Sequence, residues 1–224
     1  MQRWHTLAAH YNHKYGCRVQ KIPLDAGASC PNRDGTLSHA GCTFCNANGS
    51  GSGRAKRGDS LLQQWNALRA VYLRDDPNTR FIAYLQSFSN TYGPQKRLQQ
   101  LLQSVRSLPQ CFGVAVGTRP DCLDAPKLDT LAALDCDLWL ELGLQTAHNA
   151  TLNRINRGHS AAHSEQAVRQ AAERGIAVCA HLMAGLPGED ERHFLQSLDW
   201  ALSLPIKGLK FHNVYVPKAT ALAA

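Results

Sequence analysis

The sequence predicts an α/β fold, a partial (β/α)6 TIM-like barrel preceded by an N-terminal helix. Three observations predict it. Short runs that are apolar at nearly every position read as strands buried on both faces. They alternate with helical patterns, which means a parallel sheet with right-handed crossovers. The strand–helix beat recurs six times in 224 residues, whereas a closed eight-fold barrel takes about 250 residues. In such an architecture the chemistry gathers in the loops that follow the C-terminal ends of the strands.

The elements follow in order. Residues 2–15 place Trp4, Leu7, Ala8 and Tyr11 at helical spacing, and Gly16 stops the helix. Residues 18–25 form the first strand. Helices are expected over 60–74, 94–107, 125–134, 163–174 and 190–203, and strands over 81–86, 112–117, 138–144, 176–183 and 208–216. No repeat or linker marks a second domain, so residues 1–224 read as one core domain. The chain stops at Ala224, shortly after the sixth strand, which suggests a shortened C-terminus.

Composition narrows the function. No apolar run reaches the length of a membrane span, and the N-terminus lacks the apolar stretch of a secretory signal. Eight cysteines are diluted in a long chain, which favours a reducing, cytoplasmic setting with a metal or cluster over a disulfide framework. The net charge of +7 is uneven: residues 1–80 carry 11 Lys and Arg against 5 Asp and Glu. This basic excess fits either an anionic cofactor and a solvated surface or a nucleic-acid substrate.

The first strand runs into a Gly-rich loop holding Cys30, Cys42 and Cys45, spaced Cys-x11-Cys-x2-Cys with Phe44 before the last. Three thiolates on one loop can hold a metal centre and leave one coordination position open. An iron–sulfur cluster is one reading. Zinc on the three cysteines, with His39 or a water as fourth ligand, is a second. A thioredoxin-like pair is a third, though it has no use for Cys30. The loop's tail has glycines 53 and 58 at P-loop spacing, but Asp59 stands where that motif requires lysine.

Other strand ends are also polar. Gln86, Ser87 and Asn90 follow the second strand, where Asn90 and Thr91 are equally suited to cap the next helix. Arg119 and Asp121 follow the third and could pair with each other. Glu141 lies inside the otherwise apolar fourth strand, where a carboxylate is costly without a partner; a structural ion pair and a ligand contact both satisfy that need. Lys210 and His212 sit on the sixth strand. His181 and Met183 on the fifth read equally as core residues or ligands, and Cys17, Cys111, Cys136 and Cys179 read as small buried hydrophobes.

Together the words Lys-Ile-Pro-Leu-Asp-Ala-Gly-Ala-Ser-Cys-Pro-Asn-Arg-Asp-Gly-Thr and Gly-Cys-Thr-Phe-Cys-Asn-Ala-Asn-Gly-Ser-Gly resemble the radical S-adenosylmethionine (radical SAM) superfamily. They are similar to its YhcC-type subgroup, in the branch of the elongator subunit and coproporphyrinogen dehydrogenase. The spacing of eleven between Cys30 and Cys42 is longer than the superfamily's usual three and matches that branch. The resemblance implies a [4Fe–4S] cluster on Cys30, Cys42 and Cys45, reductive cleavage of SAM, and hydrogen abstraction by a 5′-deoxyadenosyl radical. It also implies a one-electron donor such as flavodoxin or ferredoxin, no membrane partner, and an unknown substrate for which tRNA is the leading candidate.

Residue by residue, the resemblance implies SAM contacts from Phe44, Gln86, Ser87, Asn90, Glu141, Gln145 and Arg157, and from Gly185 and Pro187 in a Gly-Leu-Pro-Gly adenine turn. The Gly-Gly-Glu-like word of many superfamily members is absent after the second strand. The tail after Val216 departs from the expected Lys-Gly-Thr-Pro-Leu-Ala, which leaves Lys218 without an assigned role. A zinc-stabilised RNA-binding module and a catalytically idle relative are the alternatives.

Overall fold

Alternation along each strand decides which side chains meet the helices and which face inward. In the computed structural model, which describes residues 4–49, 51–218 and 220–223, six parallel strands form one sheet in the order β1-β2-β3-β4-β5-β6. They are β1 (Val19–Leu24), β2 (Arg80–Leu85), β3 (Cys111–Thr118), β4 (Asp137–Gln145), β5 (Ala177–Ala184) and β6 (Gly208–Asn213). The helices between them are α2 (Leu61–Asp75), α3 (Gln95–Arg106), α4 (Ala125–Ala132), α5 (Asn149–Arg154), α6 (Ala161–Glu173) and α7 (Glu191–Leu202), with α1 (Leu7–Tyr15) ahead of β1. The sheet is an open half-barrel with β1 and β6 as its edges, and the expected fold class holds.

Ile22 and Leu24, Phe81, Ala83 and Leu85, Val114 and Val116, Leu140, Leu142 and Leu144, and Val178, Ala180 and Leu182 build the large core beneath the helices. The intervening residues Ile82, Tyr84, Ala115, Trp139 and Cys179 form a separate inner cluster with Tyr11 of α1. That helix therefore closes the half-barrel from inside. Because side chains alternate with a period of two, Glu141, Gly143 and Gln145 on β4, and His181 and Met183 on β5, join the inner face. Lys21 on β1 and Lys210 and His212 on β6 do the same.

Helix ends follow their local chemistry. Thr6 caps α1 by accepting from the Ala9 N–H, and Gly16 ends it with φ 64°. Ser60, Ser160 and Asp190 form capping boxes with Gln63, His163 and His193. Several boundaries differ from expectation. α1 starts at Leu7, where Thr6 supplies the cap, and residues 2 and 3 of the expected helix lie outside the described residues. β6 ends at Asn213, three residues short of the expectation. Helix α5 was not foreseen, because six residues are too few to show a period.

Candidate active site at the strand C-terminal ends

After β1 the chain turns into the cysteine loop, and long-range hydrogen bonds hold that loop over the half-barrel. Arg33 donates from Nη2 to the Cys45 carbonyl at 2.8 Å and the Asn46 carbonyl at 2.7 Å. Asn32 donates from Nδ2 to the carbonyls of Asn156 at 2.5 Å and Arg157 at 3.2 Å. The Thr43 N–H donates to the Ile155 carbonyl at 3.0 Å. The turn after α5 is thus the loop's anchor, and Asn156, with φ 51°, bends the chain there.

Cys30, Cys42 and Cys45 all line one cavity of about 520 Å³ at the C-terminal ends of the strands. Phe44, Gln86, Glu141, Gln145 and Arg157 line it too, as do His181, Met183, Lys210 and His212. Ser87, Asn90, Gly185 and Pro187 do not line it. Asn90 is fully buried, and its Nδ2 donates to the carbonyls of Gly117 at 2.9 Å and Ser87 at 3.3 Å, which ties β2's end to β3's. Pro187 accepts from Arg154 Nη1 at 2.6 Å. Phe44, besides lining the cavity, joins a small apolar cluster with Leu152, Ile155, Met183 and Leu186.

Cys42 has an unusual electrostatic setting. Arg157 Nη1 lies 3.5 Å and Arg119 Nη1 4.0 Å from its Sγ, with Asn32 Nδ2 at 3.6 Å. Burial alone would raise this thiol, but the charge and hydrogen bond of Arg157, then Arg119, outweigh it and lower its pKa. Arg157 is fixed by Nη2 to the Gly143 carbonyl at 2.8 Å and by Nε to His159 Nε2 at 3.0 Å. Burial first, then Arg157, pushes His159 down to about 3, so it accepts that bond as a neutral ring. Arg119 makes a two-pronged pair with Asp121 at 2.9 and 2.8 Å, as the sequence suggested. That pair holds the guanidinium toward Cys42 rather than at the rim.

Glu141 has its partners. Its side chain is 0% exposed; it is ion-paired with Lys21 and with Lys210 Nζ at 3.7 Å, and hydrogen-bonded to His181 Nε2 at 2.8 Å. Burial raises its pKa, but the hydrogen bond of His181 and the charge of Lys21 dominate, so the carboxyl is held below its ordinary range. His212 extends the chain, with Nε2 3.3 Å from His181 Nδ1. Burial, then His181, lowers His212 to about 4. Glu141, Cys179 and His181 bring three donor atoms within 4.8 Å of one another. Two ammonium groups already sit on that carboxylate, and burial with Glu141 beside it pushes the Cys179 thiol up to about 12. The group is an ion-pair network, not a cation site.

Gln145 differs from Glu141. It has φ 74° beside a register shift in the β4–β5 ladder, an unfavourable conformation for a side chain-bearing residue. Its Oε1 is buried and has no hydrogen-bond partner. A Cβ on Gly143 would stand 2.7 Å from both Gln145 Nε2 and Arg157 Nη2, so glycine is what lets the two side chains lie side by side. Among the described residues, no helix is long and apolar enough to cross a membrane.

Comparison with known proteins agrees with this geometry. YtqA of Bacillus subtilis (strain 168) is 39% identical over 223 residues, 99% of this chain and 69% of the relative. YhcC of Escherichia coli (strain K12) is 39% identical over 213 residues, 94% of this chain and 68% of the relative. The solved archaeal Methanocaldococcus infernus Elp3 superposes with a TM-score of 0.67 at 16% identity, covering 91% of this chain and 47% of that one. The sequence profile described as the radical SAM superfamily matches residues 30–201. The chain therefore belongs to the radical SAM superfamily, is YhcC-like, and is a radical SAM enzyme.

Proposed function

We propose that Cys30, Cys42 and Cys45 hold a [4Fe–4S] cluster, that SAM occupies the adjoining cavity, and that the enzyme abstracts hydrogen from a tRNA-class substrate in the cytoplasm. Residues 1–224 act in this reading as one core domain, which the single six-stranded sheet supports. The observation that carries the proposal is the meeting of three thiols from one loop with Gln145 at the wall of one cavity. The residues fit the groups. Three soft sulfur donors suit a cluster with one open position, and the orphaned Gln145 Oε1 is an acceptor awaiting a donor such as a ribose hydroxyl.

A single zinc ion fits less well. Two thiolates on one tetrahedral zinc stand about 3.8 Å apart. Among the described residues the cysteine triad is not one of the groups whose donor atoms lie within 4.8 Å of one another.

When bound, the cluster and SAM would supply reductive cleavage to methionine and a 5′-deoxyadenosyl radical. The chain's own residues prepare that site. Arg157 and Arg119 compensate the thiolate charge at Cys42, and Asn32 donates to the same sulfur. Phe44 and Met183 supply an apolar wall that sheds water near the reacting atoms. The Lys21–Glu141–His181 network stiffens the floor. Partly exposed Cys45 gives a one-electron donor such as flavodoxin or ferredoxin a short approach. The exposed Lys56 and Arg57 on the loop's tail, within the basic first third, support tRNA contact.

Anaerobic reconstitution tests the reading. It predicts about four irons per chain and, with dithionite and SAM, release of 5′-deoxyadenosine. Stoichiometric zinc without iron would favour the RNA-binding module, and a loaded cluster giving no 5′-deoxyadenosine would favour an idle relative. Binding of tRNA that shows no dependence on salt would remove the tRNA assignment.

A further inference from the structure

A second cavity, also of about 520 Å³, opens on the α1 side of the inner face, between the edge strands β1 and β6. None of Cys30, Cys42 and Cys45 lines it. Its walls include the rings of Trp139 and Tyr84, with Pro23 and Leu209. A Cβ on Gly208 would stand 3.2 Å from Trp139 Cζ3, so glycine is what lets the start of β6 pack against that ring's edge.

The charge in this chamber is one-sided. Lys21, Lys207 and Lys210 line it against a single carboxylate, Glu141. That carboxylate is unexposed and already holds Lys21, Lys210 and His181. Lys207 is exposed and has no ion-pair partner among the described residues. Lys210 is 41% exposed, with Nζ 3.3 Å from the Tyr84 hydroxyl and 4.9 Å from its ring centroid. Lys21 Nζ lies 5.4 Å from the Tyr84 ring and 5.9 Å from that of Trp139. A concave site with low-dielectric walls and three ammonium groups to one carboxylate keeps a positive surplus, with Lys207 unpaired among the described residues, and so concentrates anions and repels cations. Trp139 and Tyr84 are 7% and 8% exposed, and what they show to the cavity joins Pro23 and Leu209 in an apolar wall that suits a small ring.

We propose that this chamber is a binding site for an aromatic anion: its ring lies in the apolar space edged by Trp139, Tyr84, Pro23 and Leu209, with a carboxylate or phosphate held by Lys207 and Lys210. The volume admits either a free aryl carboxylate or a nucleotide. Tyr84, Gln86, Glu141 and Lys210 border both cavities, so the occupant would lie next to the cysteine site. Binding needs neither cluster nor SAM, and the inference stands or falls separately from the radical reading.

The test uses the full chain without reconstitution. The probes are 4-bromobenzoate and 5-bromouridine 5′-monophosphate, each against its uncharged counterpart, 4-bromobenzamide or 5-bromouridine. Calorimetry measures affinity, and the bromine anomalous signal in soaked crystals gives location. At least one anion should bind with Kd on the order of 1 mM or tighter, about tenfold better than its neutral counterpart, with bromine beside Trp139. The tighter anion names the source. Lys210→Gln should weaken binding about tenfold and Lys207→Gln about threefold, in line with losing one charge-assisted contact. Thermal melts check that both variants fold; should Lys210→Gln not fold, Lys207→Gln carries the charge test. Equal affinity for the neutral probes, bromine only elsewhere, no saturable binding, or folded variants that bind like the parent would each overturn the proposal.

Discussion

Replacing Glu141 with glutamine tests the inner network directly. The substitution keeps shape but removes the charge that faces Lys21, His181 and Lys210. Glu141 is 0% exposed and the Lys21 side chain only 18%, so the lysine would be left mostly buried without its partner. Breaking a buried pair costs about 3–5 kcal/mol, and the partial exposure of Lys21 points to the lower end. At about 3 kcal/mol, a domain of this size should lose roughly 6–12 °C in Tm. Urea unfolding of the parent, Glu141→Gln, Lys21→Met and the double variant gives the coupling, and the double variant should be more stable than the sum of the single losses predicts.

The pH dependence has a defined sign. The folded pKa of Glu141 is depressed below its ordinary 4.5, so its contribution is complete above that value and is lost as pH falls below it. The stability gap between parent and Glu141→Gln should stay constant from pH 7 to about 5.5 and narrow steadily below about 4.5. A gap that stays flat to pH 3, or a cost under about 1 kcal/mol at pH 7, would refute the assignment of a buried ion-pair network.

Further predictions concern the upper cavity. Cys42→Ala should fold, yet after reconstitution lose most bound iron and the brown absorbance, as measured by iron analysis. Gly143→Ala forces a methyl group into the space shared by Gln145 and Arg157; overpacking of about 1–3 kcal/mol should weaken SAM binding about tenfold or more in equilibrium dialysis. Arg157→Met removes a positive charge and an N–H from Cys42, and the cluster's midpoint potential should fall by tens of millivolts, where about 59 mV is a tenfold change in a one-electron equilibrium. An unchanged potential in an EPR-monitored redox titration would deny Arg157 that role.

The sequence disclosed the parts whose signals are local. Runs such as Phe81–Leu85 and Leu138–Leu144 are apolar on both faces, so strand and sheet type followed. Glu141 stood out because a carboxylate there had to find a partner. The partners themselves gave little signal. Lys21 lies 120 residues earlier and His181 40 later, and only closure of the sheet brings them together. Lys21 could have been found by a similar argument, since it is a charge between Val19 and Pro23 on the inward side of β1. Arg119 was visible as a polar strand-end residue and Arg157 through the family resemblance, but their convergence on Cys42 depends on the turn after α5, a helix too short to show a period. Asn90 illustrates the opposite case. A polar group at a strand end suits a ligand or a backbone carbonyl equally, and here its amide N–H groups go to carbonyls while its buried Oδ1 has no hydrogen-bond partner.

The central claim is that SAM binds to a cluster held by Cys30, Cys42 and Cys45, within the cavity that Gln145 and Arg157 share. The most direct test is electron–nuclear double resonance on the reduced, reconstituted protein with SAM labelled with 15N at the methionyl amine. The account predicts a 15N hyperfine coupling that appears with SAM and is absent in Cys42→Ala. A fully loaded, reduced cluster whose spectrum shows no coupling to that nitrogen would contradict it.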